Sequence, residues 1–247
     1  MPVADPAALA LRAIPLLDLT SLGDDDTPAT IERLCAAAEG PGGPPAAVCV
    51  YPEHIGTARR ALDARGLSRA KVATVTNFPD GGADVERARR ETRRAIAAGA
   101  DEVDVVLPWR AWLAGDESVA RRLVEACREA SAGRVLKVIL ETGELRDDGV
   151  IRAASLAALD AGADFIKTST GKVAVNATPA AARVMLEAIR ERGRGGFKAA
   201  GGVRTVADAA VYLALADEIL GAGWADAAHF RIGASALLGE LRRALAA

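Results

Sequence analysis

The sequence predicts an α/β protein, a single (β/α)8 TIM barrel over residues 1–247, and three observations lead to it. Eight short β-type runs recur with midpoints roughly 30 residues apart, the length of a strand, a crossover helix and two loops. The segments between them carry helix-capping residues. Several runs also carry ionisable groups on one face. The predicted strands are 14–20, 46–52, 71–78, 101–108, 135–142, 163–170, 196–202 and 229–235.

Helix starts are marked between these runs. Thr27-Pro28 and Thr178-Pro179 have the pattern of an N-cap residue followed by proline at the first helical position. Thr205 followed by Asp208 resembles a capping box, with Asp in place of the usual Glu. The Gly/Pro-rich stretch 39–47 fits an ordinary loop, so no linker divides the chain into two domains.

A doubly wound open sheet is the structural alternative, and periodicity alone does not exclude it. Open parallel sheets are covered on both faces, so their strands read as nearly continuous apolar runs. In this chain ionisable residues occupy one face of several strands, as they would in a filled barrel interior. This placement favours the barrel.

Composition excludes several functional classes. The 31 cationic and 33 acidic side chains give a net charge of −2, which argues against a general nucleic-acid binder. No uncharged apolar run approaches the roughly 18–20 residues of a membrane span, and the first residues do not resemble a signal peptide. The sequence therefore predicts a protein without nucleic-acid or membrane partners.

Cysteine and histidine usage points to a reducing compartment and no metal. Cys35, Cys49 and Cys127 are widely spaced and include no C-x-x-C pair, which suits a cytoplasmic protein. His54 and His229 are too few and too far apart for a histidine-rich metal cluster. We therefore predict no metal ion.

Lysine is scarce: the chain has 26 arginines and only five lysines. A guanidinium keeps its proton near neutral pH, whereas a buried ammonium can lose its proton and become a nucleophile. Lys71, at the start of its strand, is expected at the surface. The question for the other lysines is whether an amine is required.

Strand alternation places several charged residues inside the predicted barrel. In the fourth run Val103 and Val105 share the apolar face, which must contact the helices, so Asp104 points inward. The same reasoning brings further charged residues of the first, fifth, sixth and seventh runs towards Asp104. They are Asp18, Lys137, Lys167 and Lys198.

An isolated lysine in a strand is more often a surface residue or an ion-pair partner than a nucleophile. Two lysines near the C-terminal ends of neighbouring strands, Lys167 and Lys198, favour catalysis, because barrel active sites form there. Desolvation and a second cation lower the pKa of an amine. A fall from about 10.4 to the catalytically useful 7–8 corresponds to about 4 kcal/mol.

Glycines follow the later strands, at Gly171-Lys172, Gly201-Gly202 and Gly233-Ala234-Ser235. Backbone N–H groups of such loops, next to helix N-termini, form anion sites, and barrels often bind phosphate near the seventh and eighth strands. Lys172 adds a positive charge. The pattern predicts a phosphorylated substrate.

With these residues identified, the sequence closely resembles the deoxyribose-phosphate aldolase family, from residue 16 to the last strand. The stretches that carry the resemblance are ATVTNFP (73–79), GADEVDVV (99–106), LKVILETGEL (136–145), ADFIKTSTGKVAVNATP (163–179), GFKAAGGVRT (196–205) and RIGAS (231–235).

The resemblance implies a cytoplasmic aldehyde-lyase that reversibly cleaves 2-deoxy-D-ribose 5-phosphate to acetaldehyde and D-glyceraldehyde 3-phosphate in deoxyribose phosphate catabolism. It implies no cofactor, and homodimers are frequent in the family. Lys167 matches the Schiff-base lysine, Lys198 the second lysine and Asp104 the aspartate of the proton relay, acting with Lys198 through water. The implied substrate-binding residues are Asp18, Lys137, Thr168, Gly171, Lys172, Gly201, Gly202, Gly233 and Ser235.

The chain departs from the family pattern at few positions. Ala199 stands where several members have proline, Ala236 follows Ser235 where a second serine is frequent, and the chain ends at LRRALAA without a polar tail. These departures bear on phosphate affinity and rate rather than on reaction class.

The alternative functions are a Schiff-base aldolase or transaldolase with another donor, and a non-catalytic phosphosugar-binding barrel. A metal-dependent aldolase is disfavoured by the histidine count.

Overall fold

The computed structural model describes residues 5–246 as a closed barrel of eight parallel strands. Residues 1–4 and 247 of the predicted range lie outside the described residues. Strand β1 pairs with both β2 and β8, which confirms the barrel and excludes the open sheet. The strands are β1 Leu17–Thr20, β2 Ala47–Val50, β3 Lys71–Thr76, β4 Glu102–Val106, β5 Val135–Ile139, β6 Phe165–Lys167, β7 Gly196–Ala200 and β8 Phe230–Ala234.

All eight predicted strands are present, and each is shorter than its sequence run. Residues Ile14–Leu16 form a 3₁₀ turn around Pro15 instead of extending β1, because proline has no N–H to donate to a strand ladder. At the other end of the barrel, residues 168–170 leave β6 and begin a loop.

Helices surround the barrel and follow each strand. The three predicted helix starts are confirmed, since Thr27, Thr178 and Thr205 each accept a hydrogen bond from the backbone N–H three residues later. Within residues 5–246 the helices are α1 Pro6–Ala13, α2 Pro28–Ala37, α3 Ile55–Asp63, α4 Val85–Ala97, α5 Trp109–Leu113, α6 Glu117–Ala130, α7 Thr142–Leu145, α8 Asp148–Asp160, α9 Pro179–Arg192, α10 Val206–Leu220 and α11 Leu237–Ala246.

The two faces of the strands differ in chemistry. Val103 and Val105 are fully buried in the main apolar core between β4 and the helices, as predicted. On β2 and β3 the inward positions hold small apolar residues that form a separate cluster. Their small volume leaves room in the barrel for long charged side chains from the other strands. They are Ala47, Cys49, Ala73 and Val75.

Candidate active site

A cluster of charged side chains fills the barrel interior. Six strands contribute to it, and each residue is at most 5% exposed. We call it the interior cluster. Its members are Asp18 of β1, Glu102 and Asp104 of β4, Lys137 of β5, Lys167 of β6, Lys198 of β7 and Arg231 of β8.

Asp104 is the centre of the interior cluster. Its Oδ2 accepts hydrogen bonds from Lys167 Nζ at 2.9 Å and from Lys198 Nζ at 2.7 Å. Its Oδ1 accepts from Lys137 Nζ at 2.9 Å. The structure therefore brings together the three residues predicted to be catalytic, Lys167, Lys198 and Asp104, on one shared carboxylate oxygen. Their catalytic roles stay predictions.

Asp18 and Glu102 complete the pairing deeper in the barrel. Asp18 accepts from Lys198 Nζ at 2.5 Å and from Arg231 Nη1 at 2.6 Å. Glu102 accepts from Lys137 Nζ at 2.6 Å and from Arg231 Nη2 at 2.8 Å. Lys137 and Lys198 thus each contact two carboxylates at hydrogen-bond distance, whereas Lys167 contacts one.

The carboxylates of Asp104 and Asp18 stay ionised. Burial alone would raise the pKa of Asp104, but Lys137, Lys167 and Lys198 together hold it well below its usual range. Asp18 follows the same pattern, because the neighbouring cations outweigh its burial and lower its pKa.

The three lysines of the cluster do not behave alike. Burial opposes the charged form of each, yet Asp104 together with Glu102 raises the pKa of Lys137, and Asp104 together with Asp18 raises that of Lys198. The pKa of Lys167 is lowered by its burial, with Asp104 opposing the shift and Lys198 adding to it. Lys167 is therefore the cluster's readiest source of a free amine.

A cavity of about 430 Å³ opens at the C-terminal ends of β1, β6, β7 and β8. Of the interior cluster only Lys167 lines this cavity. Six of the residues predicted to bind substrate also line it. They are Gly171, Lys172, Gly201, Gly202, Gly233 and Ser235.

Three other predicted substrate-binding residues do not line the cavity. Asp18 and Lys137 are fully buried and paired within the interior cluster, so they lie beneath the site rather than around it. Thr168 is also fully buried, and its hydroxyl bonds the backbone N and O of Ala200. Thr168 thereby joins the ends of β6 and β7.

Gly233 differs in setting from the predicted loop, because Gly233 and Ala234 belong to β8 itself. A Cβ on Gly233 would lie 3.0 Å from Cε of Lys198. The glycine therefore leaves room for the Lys198 side chain as well as lining the cavity. Ser235 follows the strand, just before α11.

The cavity has two cationic side chains on its rim. Lys172 Nζ donates to the carbonyl of Leu22 at 2.8 Å and lies 3.3 Å from Asp24 Oδ1. Arg204 also lines the cavity, and the sequence reasoning did not single it out, although only Val203 separates it from Gly201-Gly202. Both cations are positioned to attract an anionic group.

The loop of residues 168–178, which carries Lys172, is held from below by Glu141. This buried carboxylate accepts from Thr170 N at 3.0 Å and from Thr170 Oγ1 at 2.6 Å. Thr170 Oγ1 in turn accepts from Lys172 N at 3.0 Å. Glu141 follows β5, and the sequence reasoning gave it no role.

Two glycines let the same loop pack closely. A Cβ on Gly143 would lie 1.8 Å from the carbonyl oxygen of Val175. At Gly201 the backbone has φ +84°, and a Cβ would lie 2.6 Å from the Asn176 side chain. The position of the loop over the cavity thus depends on the absence of side chains at these two residues.

Metal-binding groups and membrane-spanning helices are the remaining features to consider in the described residues. Between residues 5 and 246 no group of three or more His, Cys, Asp or Glu side chains is arranged to hold a metal ion. Over the same range no helix is both long and apolar enough to cross a membrane.

Residues 12–239 match the model of a family described as DeoC/LacD family aldolase. Among solved structures, a protein of Toxoplasma gondii ME49 provisionally assigned as a deoxyribose-phosphate aldolase is 28% identical, with a TM-score of 0.90 over 98% of this chain and 97% of that one. A Coccidioides immitis protein with the same provisional assignment is 29% identical, with a TM-score of 0.80 over 95% and 86% of the two chains.

The tetrameric deoxyribose phosphate aldolase of Aeropyrum pernix is 26% identical to this chain. Its TM-score is 0.77, over 98% of this chain and 97% of that one. The likeness therefore extends over whole chains and not over a shared fragment.

Substitution of Lys137 tests how strongly the interior cluster depends on its pairing. Lys137→Met leaves Glu102 and Asp104 buried with one cation fewer, so we expect a loss of about 3–5 kcal/mol in the free energy of unfolding. Urea denaturation at pH 7 measures it. Lys71→Met is the matched control, because Lys71 is exposed and should cost at most about 0.5 kcal/mol.

The loss should shrink in acid. Lys137 helps to lower the pKa of Asp104 in the folded protein. Its contribution is therefore complete above the unfolded carboxyl pKa of about 3.9 and is lost as the pH falls through the folded value. An equal loss at pH 7 and at pH 3 would contradict the ion-pair account.

Proposed function

This chain belongs to the DeoC/LacD family of aldolases, and we propose that it reversibly cleaves 2-deoxy-D-ribose 5-phosphate to acetaldehyde and D-glyceraldehyde 3-phosphate through a Schiff base on Lys167. The observation that carries the proposal is that Lys167 alone extends from the interior cluster into a cavity bordered by glycine loops and cations. The assignments of the relatives in Toxoplasma gondii and Aeropyrum pernix support the same substrate.

Lys167 is the nucleophile of the proposed reaction. Burial and the neighbouring Lys198 lower its pKa, so a free amine is available to attack C1 of the open-chain sugar. The C–N bond forms as a proton leaves nitrogen and the carbonyl oxygen takes one, and protonation of the carbinolamine hydroxyl followed by loss of water gives an iminium. The iminium is a cation that accepts electrons from the adjacent C2–C3 bond.

Carbon–carbon cleavage follows. A proton leaves the C3 hydroxyl, C3 becomes the aldehyde carbon of D-glyceraldehyde 3-phosphate, and the C2–C3 electron pair moves into the iminium to give an enamine. Protonation of C2 and hydrolysis release acetaldehyde and regenerate the amine. Lys198 and Lys167 both donate to Oδ2 of Asp104. We therefore assign the proton transfers to Asp104 and Lys198, acting through water.

The phosphate of the substrate is assigned to the part of the cavity lined by the glycine loops and Ser235. Ser235 lies just before α11 and Gly201-Gly202 precede α10, so backbone N–H groups and helix dipoles favour an anion there. Lys172 and Arg204 add positive charge on the same rim. Gly171 and Gly233 complete the proposed phosphate pocket.

The wider assignments accompany this proposal. We treat residues 1–247 as one TIM-barrel domain without a cofactor or metal, working in the cytoplasm in deoxyribose phosphate catabolism. We propose a homodimer, and the tetramer named for the Aeropyrum pernix relative supports self-association. Asp18, Lys137 and Thr168 are assigned to support of the site, because they lie beneath the cavity and not in its lining.

Reductive trapping tests the proposed intermediate. Borohydride added with acetaldehyde, or with 2-deoxyribose 5-phosphate, should give a stable adduct that peptide mass mapping locates on Lys167. Lys167→Leu should abolish this adduct.

Lys198→Leu should keep the fold, as measured by circular dichroism. It should reduce turnover by orders of magnitude, because a proton carrier and a nearby cation are lost.

The other outcomes discriminate between functions. An adduct mainly on Lys198 or Lys137 would refute the role of Lys167. The absence of any adduct would favour a non-catalytic phosphosugar-binding barrel. Trapping with another donor but not with acetaldehyde would indicate a different Schiff-base aldolase or a transaldolase, and loss of activity on chelation would indicate a metal-dependent one.

A charge introduced at Ser235 tests the phosphate pocket. Ser235→Asp should lower the ratio of kcat/KM for 2-deoxyribose 5-phosphate to that for 2-deoxyribose by roughly tenfold, because a carboxylate repels the phosphate. Ser68→Asp is the control, since Ser68 is exposed on the loop before β3. If both variants change the ratio equally, the phosphate binds elsewhere.

A further inference from the structure

Arg231 and Glu102 belong to the interior cluster, yet the proposed mechanism does not use them. They form a forked pair, with Arg231 Nη2 2.8 Å from Glu102 Oε1 and Arg231 Nη1 3.1 Å from Glu102 Oε2. They are 5% and 2% exposed and do not line the cavity. An apolar pair of similar volume would avoid the desolvation cost of burying these charges, so their effect on the neighbouring charges needs an account.

The charges of the interior cluster can be counted. Its acids are Asp18, Glu102 and Asp104, and its cations apart from Lys167 are Lys137, Lys198 and Arg231, three of each sign. With Lys167 neutral the cluster is balanced, and with Lys167 protonated it carries one excess positive charge. An interior of low dielectric penalises that excess.

The excess positive charge is removed most easily by loss of a proton from Lys167. Lys137 and Lys198 each contact two carboxylates at hydrogen-bond distance, whereas Lys167 contacts only Asp104. Arg231 cannot relieve it, because a guanidinium keeps its proton. A fixed charge at residue 231 therefore transfers the imbalance to the amine that faces the cavity.

We propose that Arg231 and Glu102 set the protonation state of Lys167 through the net charge of the interior cluster, with Arg231 favouring the free amine and Glu102 opposing it. The inference rests on the proposed function, because it concerns the nucleophile of that reaction. Arg231 is a positioning residue, which acts through Asp18 and Lys198 on the carboxylate that Lys167 shares.

Other titratable groups face Lys167 without being part of this balance. Cys49 of β2 stays a neutral thiol, because burial raises its pKa. Glu141, after β5, accepts its hydrogen bonds from Thr170 instead of a lysine, and burial raises its pKa too. Neither residue is altered in the variants below, so both form a constant background.

The pH dependence of trapping tests the proposal. The rate of adduct formation at Lys167 with acetaldehyde and cyanoborohydride is measured by mass spectrometry across pH, relative to wild-type protein in the same buffers. Arg231→Met should move the pH midpoint up by roughly one unit, because the cluster then balances with Lys167 protonated. Glu102→Gln should move it down by a similar amount.

The double variant is the decisive control. Arg231→Met combined with Glu102→Gln removes one charge of each sign, so its midpoint should return to within about half a unit of wild type. A merely structural pair would lower the rate at every pH, without opposite shifts and without this return. Unmoved midpoints in the folded single variants would overturn the proposal.

The same measurements distinguish failure of this inference from failure of the proposed function. If Arg231→Met does not fold, Glu102→Gln decides, because it removes one negative charge and should shift the midpoint downward. The opposite result overturns the inference. If wild-type protein forms no adduct on Lys167 at any pH, the proposed function itself fails, and the inference falls with it.

Discussion

Three lysine Nζ atoms share the carboxylate of Asp104, and the chemistry of the barrel follows from how unequally they are held. Each lysine is buried and would lose its proton without a partner. Lys137 and Lys198 have a second carboxylate at hydrogen-bond distance, and their pKa values are raised. Lys167 has none beyond Asp104, and its pKa is lowered. The least stabilised ammonium is also the only one that reaches the cavity, so the amine most ready to react is the one a substrate can meet.

The closed barrel provides the space and the hydrogen-bond partners for this arrangement. Small residues on β2 and β3 leave volume for long side chains from the other strands, and Gly233 leaves room beside the stem of Lys198. Parallel strands end at one rim, so loops that follow β6, β7 and β8 surround the amine. Glu141 fixes the first of these loops through Thr170. Nucleophile and anion-binding rim are thereby held by different parts of one scaffold.

Sequence reasoning reached the barrel and the three residues around the shared carboxylate oxygen, because strand alternation needs only local pattern. The scarcity of lysine drew attention to Lys167 and Lys198 before any resemblance was considered. The same alternation could have indicated Arg231, which shares a strand face with Gly233. Its partners could not be read locally, since Asp18 lies 213 positions away and Glu102 lies 129 away. The depth of a side chain within the barrel could not be predicted either. Periodicity assigns a residue to a face, and it does not say whether a residue such as Asp18 lines a cavity or lies beneath it.

The central claim is that Lys167 loses its proton more readily than an ordinary lysine, whereas Lys137 and Lys198 hold theirs more tightly. With only five lysines in the chain, ¹³C labelling of the lysine side chains allows each to be followed by NMR during a pH titration and assigned by single substitutions. The account predicts that the Lys167 signal titrates below the roughly 10.4 of an ordinary lysine, while those of Lys137 and Lys198 do not titrate below that value. A Lys167 signal that stays protonated together with the other two buried lysines would contradict it.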